Sequence, residues 1–369
     1  MILKIQTLRL VKMKIKWLRG NDYISFRKPS LWFVQGIRGS GKSSFLEHLA
    51  EIHLSLGHAV WDMYGSRDGE SLAWLRSKWT EEKRILLIKG EYVDVSCSYP
   101  VKTAEEVTLE DFERYDLLIS SPPLFLNMDQ EFMELGRLAD KLYRRLEWKK
   151  LTYVIMREAA NFLYSRMKLV ADQTEAKTQA VYMLREGRHC GISFGLDSVR
   201  LLSIDINVRS IADYLILKSQ GHQALQREYR WLFRYFQPYS IMHMPQNCFC
   251  IITKKGCVGY GVFKYPKWHK QERENILKAV GIKIEYGEPV REGKYRGKFK
   301  TIGDEEHAEI IRLYLDGGLS MARIAEELNR STASIKMHID RHNKNIEKMG
   351  YCPTCRRVKS SLEGEKAVR

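Results

Sequence analysis

One eight-residue segment constrains the fold more than any other part of the chain: Gly36-Ile-Arg-Gly-Ser-Gly-Lys-Ser43. An apolar run at residues 31–34 precedes it, and a helical run at residues 45–52 follows it. The segment matches the Walker A pattern in its expected strand–loop–helix context. Its glycines let backbone N–H groups turn inward at a helix N-terminus, where they bind phosphate groups. The sequence therefore predicts a phosphate-binding loop, the P-loop.

The residue types of the P-loop indicate ATP and Mg²⁺ as its ligands. Lys42 is expected to reach the β- and γ-phosphates and so to take part in catalysis, and the Ser43 hydroxyl is expected to ligate Mg²⁺. The residues predicted to bind the nucleotide are Gly36, Ile37, Arg38, Gly39, Ser40, Gly41, Lys42, Ser43 and Ser44.

Short apolar runs alternate with longer helical stretches up to about Gln220. Strands that are almost continuously apolar, at this spacing, are typical of a parallel sheet covered by helices on both faces. The fold class predicted is α/β, a P-loop NTPase parallel sheet flanked by helices, with a small β-rich segment and a C-terminal helix-turn-helix domain. The predicted strands are residues 31–35, 59–63, 85–88, 117–120, 151–156, 191–196 and 214–217.

The character of the sequence changes twice after this region. A helix predicted at residues 224–236 is followed by two β-rich runs around Lys254-Lys255-Gly256, which predict a hairpin. The stretch up to Lys300 is rich in glycine and lysine and is typical of a basic linker. We predict a P-loop ATPase domain at 1–245, a hairpin and linker module at 246–302, a helix-turn-helix domain at 303–345 and a CxxC-containing tail at 346–369.

The net charge of +16 and the pI of about 9.4 favour a polyanionic partner, nucleic acid rather than an anionic membrane surface. No apolar run approaches the ~20 residues that a membrane span needs. Lysines alternate with apolar residues at 11–17, which is a strand period rather than a signal peptide. Seven cysteines without a disulfide-scaffold spacing predict reduced thiols. We expect a cytoplasmic protein, including the cytoplasm of a host that carries a virus or an integrated element.

ATP hydrolysis also needs acidic groups at the end of a neighbouring strand. In additional-strand P-loop ATPases four apolar residues precede an Asp on the magnesium side and a Glu that polarises the attacking water. The matching run here is Tyr153-Val-Ile-Met-Arg-Glu158, which makes Glu158 the predicted catalytic base. Arg157 takes the place of the Asp, so Asp116, Asp62 or water is left to complete the Mg²⁺ shell. A Glu158 that only caps or pairs is the alternative.

Two later segments resemble the FtsK–HerA superfamily of DNA-pumping ATPases, which includes viral genome-packaging ATPases. They are Leu184-Arg-Glu-Gly-Arg-His-Cys-Gly-Ile-Ser-Phe-Gly-Leu-Asp-Ser-Val-Arg200 and Ser203-Ile-Asp-Ile-Asn-Val-Arg-Ser-Ile-Ala-Asp-Tyr-Leu215. The resemblance covers about residues 31–221. The chain departs from the family at Arg157 and at Asp197-Ser198, which occupies a sensor position where Thr-Gln is usual.

The resemblance implies a ring, usually of six subunits, in which an arginine of one subunit stabilises the γ-phosphate charge in the next. Arg188 is the catalytic candidate for this role, followed by Arg185 and Arg166. An ordinary salt-bridging role is the alternative for Arg188.

The period from Asp304 onward predicts three helices: residues 305–315, 321–328 and 331–342. The short second helix, the Asn329-Arg330 turn and the third helix are typical of a helix-turn-helix, similar to the small DNA-binding domains of resolvase- and invertase-like proteins. Double-stranded DNA is the expected partner, although such modules also dock proteins. The residues predicted to contact DNA are Arg330, Ser331, Thr332, Ser334, Lys336 and Arg341.

Cys352-Pro-Thr-Cys355 has the spacing of a zinc knuckle. His338 and His342 lie four residues apart on one helix, so a Cys₂His₂ zinc site with these histidines is one hypothesis. A second cysteine pair from another subunit, or two reduced cysteines, are the others.

Together these features predict an ATP-hydrolysing motor that translocates or packages double-stranded DNA and uses the helix-turn-helix for loading or tethering. Genome packaging or DNA transfer would suit such a motor. The alternative is an ATP-switched DNA-binding regulator without processive movement. A nuclease activity is not expected, because residues 248–295 lack an acidic metal-binding cluster.

Overall fold

The computed structural model describes residues 13–65, 69–161, 163, 173–199, 204, 208, 210–221, 227–269, 276–287, 303–328, 330 and 332–358. The chain divides into two units, Met1–Pro289 and Val290–Arg369.

The strands of the described residues all belong to the first unit. They are β1 (Lys14–Arg19), β2 (Leu31–Gln35), β3 (Ala59–Tyr64), β4 (Ile85–Lys89), β5 (Val93–Ser96), β6 (Val101–Thr103), β7 (Leu117–Ser120), β8 (Thr152–Met156), β9 (Ile192–Ser198), β10 (Tyr214–Leu217), β11 (Cys248–Thr253), β12 (Val258–Val262) and β13 (Lys283–Tyr286).

The α-helices of the first unit connect these strands, and those of the second unit follow one another directly. They are α1 (Lys42–Ser55), α2 (Trp79–Glu82), α3 (Leu109–Arg114), α4 (Met128–Tyr143), α5 (Gln173–Glu186), α6 (Pro238–Met242) and α7 (Ile276–Ala279), then α8 (Asp304–Leu315), α9 (Met321–Glu327) and α10 (Thr332–Met349). Short 3₁₀ helices lie at Glu70–Arg76, Pro122–Leu124, Ala159–Asn161 and Arg227–Arg234.

The described strands of the first unit form an 11-stranded sheet in the order β1-β12-β11-β10-β2-β9-β8-β3-β7-β4-β6 and a two-stranded sheet of β13 and β5. The strands from β10 to β6 in this order are parallel to their neighbours, and β11, β12 and β1 add an antiparallel edge. Every residue of β2, β3, β8 and β9 is buried, so both faces of the central sheet are covered. The predicted α/β sheet flanked by helices is confirmed.

The P-loop strand β2 lies where the strand order reverses, between β9 and β10. Ligands of open α/β sheets bind outside the carboxyl ends of the strands at such a point. The neighbour β9 also separates β2 from β8, the strand that leads to Glu158. One additional strand therefore lies between the P-loop strand and the strand that leads to Glu158. The comparison of residues 153–158 with additional-strand P-loop ATPases predicts this arrangement.

The hairpin predicted after residue 246 forms, but it continues the large sheet. β11 pairs with β10 and β12 pairs with β1, so the predicted boundary at 245/246 falls within one structural unit. The stretch predicted as linker also contains α7 and β13, and β13 pairs with β5. These pairings join residues far apart in sequence, which local composition does not reveal. The helix predicted at 224–236 is a 3₁₀ helix at Arg227–Arg234 in the described residues.

Among its described residues, the second unit has three helices around a small apolar core. Ile310 and Ile311 of α8 contact Ile324 of α9, and Ile335 and Ile339 of α10 complete the core. The Ser320 hydroxyl caps α9 by accepting from the backbone N–H of Arg323. The third helix extends to Met349, beyond the predicted end of the domain at residue 345.

Among the described residues, no helix is long and apolar enough to cross a membrane.

Candidate functional site

The P-loop connects the carboxyl end of β2 to the first turn of α1. Gly39 and Gly41 have φ values of 76° and 82°, in the left-handed region that glycine adopts without strain. A Cβ on Gly36 would lie 2.6 Å from Ser40 Oγ and 2.7 Å from Lys218 Cβ, so this position also requires glycine. The loop therefore has the backbone curvature that the Walker A pattern predicts.

The predicted nucleotide ligands lie together in this loop. The Lys42 ammonium donates to the Ile37 carbonyl at 3.1 Å, across the curve of the loop. Arg38 and Gly39 are exposed, whereas the side chains of Ser40 and Ser44 are buried.

Asp197 is one of two described acids that lie beside the P-loop residue Ser43, and Glu70 is the other. Asp197 is on β9, directly opposite Val34 of β2, and its Oδ2 is 3.5 Å from the Ser43 hydroxyl. Its Oδ1 accepts the backbone N–H of Glu158. Burial raises the pKa of Asp197 to about 6, although the Lys42 ammonium and the Glu158 N–H oppose the rise. The residue that the sequence placed at a sensor position is therefore next to the predicted Mg²⁺ ligand.

Glu158 follows β8 and points away from the core. Its φ of 46° is in the left-handed region, which costs on the order of 1 kcal/mol or more for a residue other than glycine. The bond from its N–H to Asp197 holds this conformation, and its side chain is exposed. The structure thus brings Glu158, Asp197 and Ser43 to one edge of three adjacent strands, β8, β9 and β2.

Arg157, one residue earlier, turns the other way into the interior. Its guanidinium donates to Asp62 Oδ2 at 2.5 Å and to Glu47 Oε1 at 2.8 Å, and lies 3.4 Å from Glu70 Oε1. His269 bonds to Glu47 at 2.8 Å and to Glu70 at 3.1 Å. These five residues, here called the Arg157 cluster, form a buried charge network beneath α1.

The cluster shifts the protonation of its members. Burial alone would raise the pKa of Glu70, but Arg157 together with hydrogen bonds from His269 and Ser43 brings it down to about 2. Burial alone would lower the pKa of His269, but Glu47 and Glu70 raise it to about 9. Glu70 therefore stays ionised and links the Arg157 cluster to the P-loop through Ser43.

Asp62 and Asp116, the two acids that the sequence suggested as Mg²⁺ ligands, do not lie where they could bind the metal. Asp62 is fully engaged by Arg157 and by the Trp74 indole N–H at 2.8 Å. Asp116 precedes β7, at the amino edge of the sheet, where it pairs with Lys150 and Arg84. The P-loop lies at the carboxyl edge, so Asp116 is on the wrong side of the sheet.

Sequence reasoning missed Glu47, Glu70 and His269 because they belong to no motif. Glu47 gave one usable signal: it is a buried acid on α1, five residues after Lys42.

A second missed residue is Gln246, which contacts the P-loop from the segment after α6. Its side-chain amide donates to the Gly39 carbonyl at 2.8 Å, and its backbone carbonyl oxygen would lie 2.7 Å from a Cβ on Gly41. Lys218, at the end of β10, donates to the carbonyls of Gln246 and Cys248. Burial lowers the pKa of Lys218 to about 7. This segment therefore fixes one wall of the phosphate site.

Arg188 lies at the opposite edge from the P-loop, in the turn before β9. Its guanidinium donates to Asp213 at 2.7 Å and to the Ile211 carbonyl at 3.1 Å. Within the chain it is a salt-bridging arginine, the alternative that the sequence left open. Arg185 is exposed at the end of α5, and Arg166 lies outside the described residues.

The predicted DNA-contacting residues are on or next to α10. Thr332, Lys336 and Arg341 are exposed, and Ser334 is half-buried. Arg330 instead forms a bidentate ion pair with Glu306 of α8, which braces the turn before α10. Ser331 and Asn329 lie outside the described residues.

The cysteine pair of the tail meets histidines, but not the two that the sequence suggested. His307, His342, Cys352 and Cys355 place their ligand atoms within 4.8 Å of one another. His338 lies outside this group and bonds to His307. Sequence reasoning missed His307 of α8. This residue is 45 residues from Cys352, and no motif surrounds it.

Searches for similar proteins gave matches among solved structures. No protein-family model matches the chain, and no curated protein matches its sequence. The genome packaging NTPase B204 of Sulfolobus turreted icosahedral virus 2, in complex with ATP-gammaS, is 16% identical over 64% of this chain and 98% of that chain, with a TM-score of 0.38. The pCW3 conjugation coupling protein TcpA is 12% identical over 73% of this chain and 71% of that chain, with a TM-score of 0.42. EccC of Thermomonospora curvata is 8% identical over 70% of this chain and 41% of that chain, with a TM-score of 0.40.

Replacing Arg157 by leucine should destabilise the first unit by about 3–5 kcal/mol, because three carboxylates would lose their buried counter-charge. Urea unfolding of the purified variant measures this loss. Arg84→Leu is the matched control, since the Arg84 side chain is mostly exposed and its ion pair with Asp116 contributes at most about 1 kcal/mol. Equal losses in the two variants would contradict the role of the Arg157 cluster.

His269 should make the stability of the first unit depend on pH. Because its folded pKa is raised from 6.5 to about 9, its contribution is fully present below pH 6.5 and is lost as the pH rises through 9. His269→Gln should therefore cost on the order of 2–3 kcal/mol at pH 6 and much less at pH 10, by urea unfolding. A cost that does not change with pH would show that His269 does not bind its extra proton in the folded state.

Proposed function

We propose that this protein is an ATP-hydrolysing DNA motor of the FtsK–HerA type. The observation that carries the proposal is the meeting of the P-loop, Asp197 and Glu158 on three adjacent parallel strands, with β9 inserted between β2 and β8. Nucleotide binding, an acid next to Ser43 and a second, exposed acid are the minimum that hydrolysis of the γ-phosphate needs.

The P-loop of this chain is shaped to hold ATP through its backbone. The helix α1 begins at Lys42, directly after the loop, so its N-terminal N–H groups and the helix dipole favour the phosphates. Lys42 would exchange its contact with the Ile37 carbonyl for the β- and γ-phosphates. Gln246 and Lys218 keep the loop in this shape from the opposite side.

Ser43 and Asp197 are the residues that would hold Mg²⁺. A hydroxyl and a carboxylate 3.5 Å apart are oxygen ligands of the kind that Mg²⁺ takes, and Asp197 has no positive side chain paired to it among its described hydrogen bonds. When bound, Mg²⁺ neutralises charge on the β- and γ-phosphates. Asp62 and Glu47 are disfavoured for this role, because Arg157 bonds to both oxygens of Asp62 and to Oε1 of Glu47, inside the core.

Glu158 is the proposed general base. Its backbone is fixed to Asp197, so its exposed carboxylate starts from the same edge as Ser43. From there it can accept the proton of a water that attacks the γ-phosphate.

A DNA partner is supported by charge and by the second unit. The net charge of +16 favours a polyanion. The helices α9 and α10 have the length and order of a helix-turn-helix, and Lys336 and Arg341 are exposed on α10. We place Lys336, Arg341 and Thr332 on the DNA-facing side and leave Arg330 out, because Glu306 engages it. Docking of a protein on this surface is the alternative.

A ring of subunits, with six as the expected number, completes the proposal. The arginine that acts across the interface would be Arg188 or Arg185. Arg188 would first have to leave Asp213.

ATP turnover with and without long duplex DNA tests the motor. Turnover should rise strongly with DNA, and Lys42→Ala should abolish it because the γ-phosphate loses its cation. Glu158→Gln and Asp197→Asn should each lower kcat by about 10²-fold or more. Asp116→Asn, at the other edge of the sheet, is the matched control and should lose less than about twofold.

Two further results test the proposed base and the proposed DNA contacts separately. Turnover that survives Glu158→Gln would remove Glu158 as the base. The double variant Lys336→Ala, Arg341→Ala should raise the DNA concentration needed for half-maximal stimulation, whereas Arg312→Ala should not, because Glu309 already engages Arg312.

An ATP-switched DNA-binding regulator is the second candidate function. Arg157 favours it, since this residue removes the magnesium-side acid from β8. Such a protein would bind DNA in an ATP-dependent way with negligible turnover, and this result would replace the motor.

A further inference from the structure

Four side chains of the second unit converge on one point that the proposed motor does not use. They are His307 of α8, His342 of α10, and Cys352 and Cys355 of the segment that follows. His307 Nε2 lies 3.5 Å from Cys352 Sγ, and His342 Nδ1 lies 3.3 Å from Cys355 Sγ. His307, His342 and Cys352 are buried, and Cys355 is half-buried. We call these residues the Cys₂His₂ group.

These distances match the edges of a tetrahedral zinc site. With Zn–S of about 2.3 Å and Zn–N of about 2.0–2.1 Å, a tetrahedron places a sulfur and a nitrogen ligand about 3.5 Å apart. The two N–S distances, 3.5 and 3.3 Å, are close to this length. We propose that the Cys₂His₂ group binds one Zn²⁺ ion.

The backbone of the cysteine segment is already folded as a knuckle. The N–H of Arg356 donates to the Cys352 carbonyl, and the N–H of Cys352 donates to the Arg357 carbonyl, both at 2.8 Å. Tyr351 and Val358 pair across its base, and Arg356 has a φ of 58°, which a residue other than glycine adopts at a cost. This turn brings both sulfur atoms to the same side.

His338 supports the site without being a ligand. Its Nδ1 lies 3.2 Å from the Nδ1 of His307, so the two rings share a hydrogen bond. Metal-binding histidines commonly use their second nitrogen in this way, which fixes the ring and its tautomer. With Nδ1 engaged, His307 presents Nε2 to Cys352.

The metal is structural, because four protein ligands fill a tetrahedral shell and leave no open position. Two thiolates and two imidazoles favour Zn²⁺ over the hard cations Mg²⁺ and Ca²⁺. The apolar core of this unit is small, and domains of this size usually need a metal, a disulfide or a partner. Zn²⁺ would tie α8, α10 and the tail together and so fix the orientation of α10.

The metal content of the full-length protein tests the site. Protein purified without chelator should contain about one zinc per chain by plasma mass spectrometry. Cys352→Ser and His307→Ala should each lower the zinc content at least about fivefold. Cys190→Ser, in the first unit, should keep it. Wild-type protein without zinc, or zinc retained by Cys352→Ser, would overturn the proposal.

Cobalt spectra can distinguish His307 from His338 as the metal ligand. The spectrum of the wild-type protein reports the metal geometry, so this experiment does not require every ligand variant to fold. Wild-type protein reconstituted with Co²⁺ should show tetrahedral d–d bands and a thiolate-to-metal charge-transfer band. His338→Asn should keep both features, whereas His307→Ala should change the d–d bands. The reverse result would return His338 to the ligand set.

Counting the free thiols distinguishes the zinc site from a disulfide between Cys352 and Cys355. All seven cysteines should react with a thiol reagent in denaturant without reductant. Five reactive thiols together with no bound zinc would mean a Cys352–Cys355 disulfide instead of a metal site.

Discussion

The ion pairs of Arg157 are the interaction on which the nucleotide site depends. One buried guanidinium holds Glu47 of α1, Asp62 of β3 and Glu70 of the following 3₁₀ helix. Removing charges from water is costly, and Arg157 and His269 offset much of that cost for three carboxylates. The cluster thereby fixes α1, which begins at the P-loop, to the strands beneath it. An arginine in the expected place of an aspartate therefore contributes to the architecture of the site.

Arg157 stands after β8 where an aspartate is expected, and this changes which acids lie at the carboxyl edge of the sheet. With Asp62 and Glu47 paired to Arg157, the described carboxylates next to Ser43 are Asp197 on β9 and Glu70. Asp197 also holds the backbone of Glu158. One side chain thus connects the strand of the P-loop to the strand of the candidate base. The inserted strand β9 thus carries a carboxylate beside Ser43, whereas β8 leads to Arg157.

The sequence predicted those parts of the molecule that depend on local pattern. The strands at residues 31–35, 117–120 and 214–217 have the predicted bounds, because continuous apolar runs between helices form buried parallel strands. The P-loop needed only its glycines and its flanking elements. Asp197, Glu70 and His307 could not be placed in the same way, since their contacts bridge 154, 27 and 45 residues of chain. β5 and β13 were missed for this reason, because each is short and pairs only through the fold.

The role of Asp197 beside Ser43 is tested most directly by the position of the metal in a crystal of the protein with Mn²⁺ and a non-hydrolysable ATP analogue. Anomalous scattering should place Mn²⁺ at Ser43 Oγ, with Asp197 binding it directly or through one water. Arg157 should still be paired with Asp62 and Glu47. A metal ligated by Asp62, with Arg157 released from the cluster, would contradict the account.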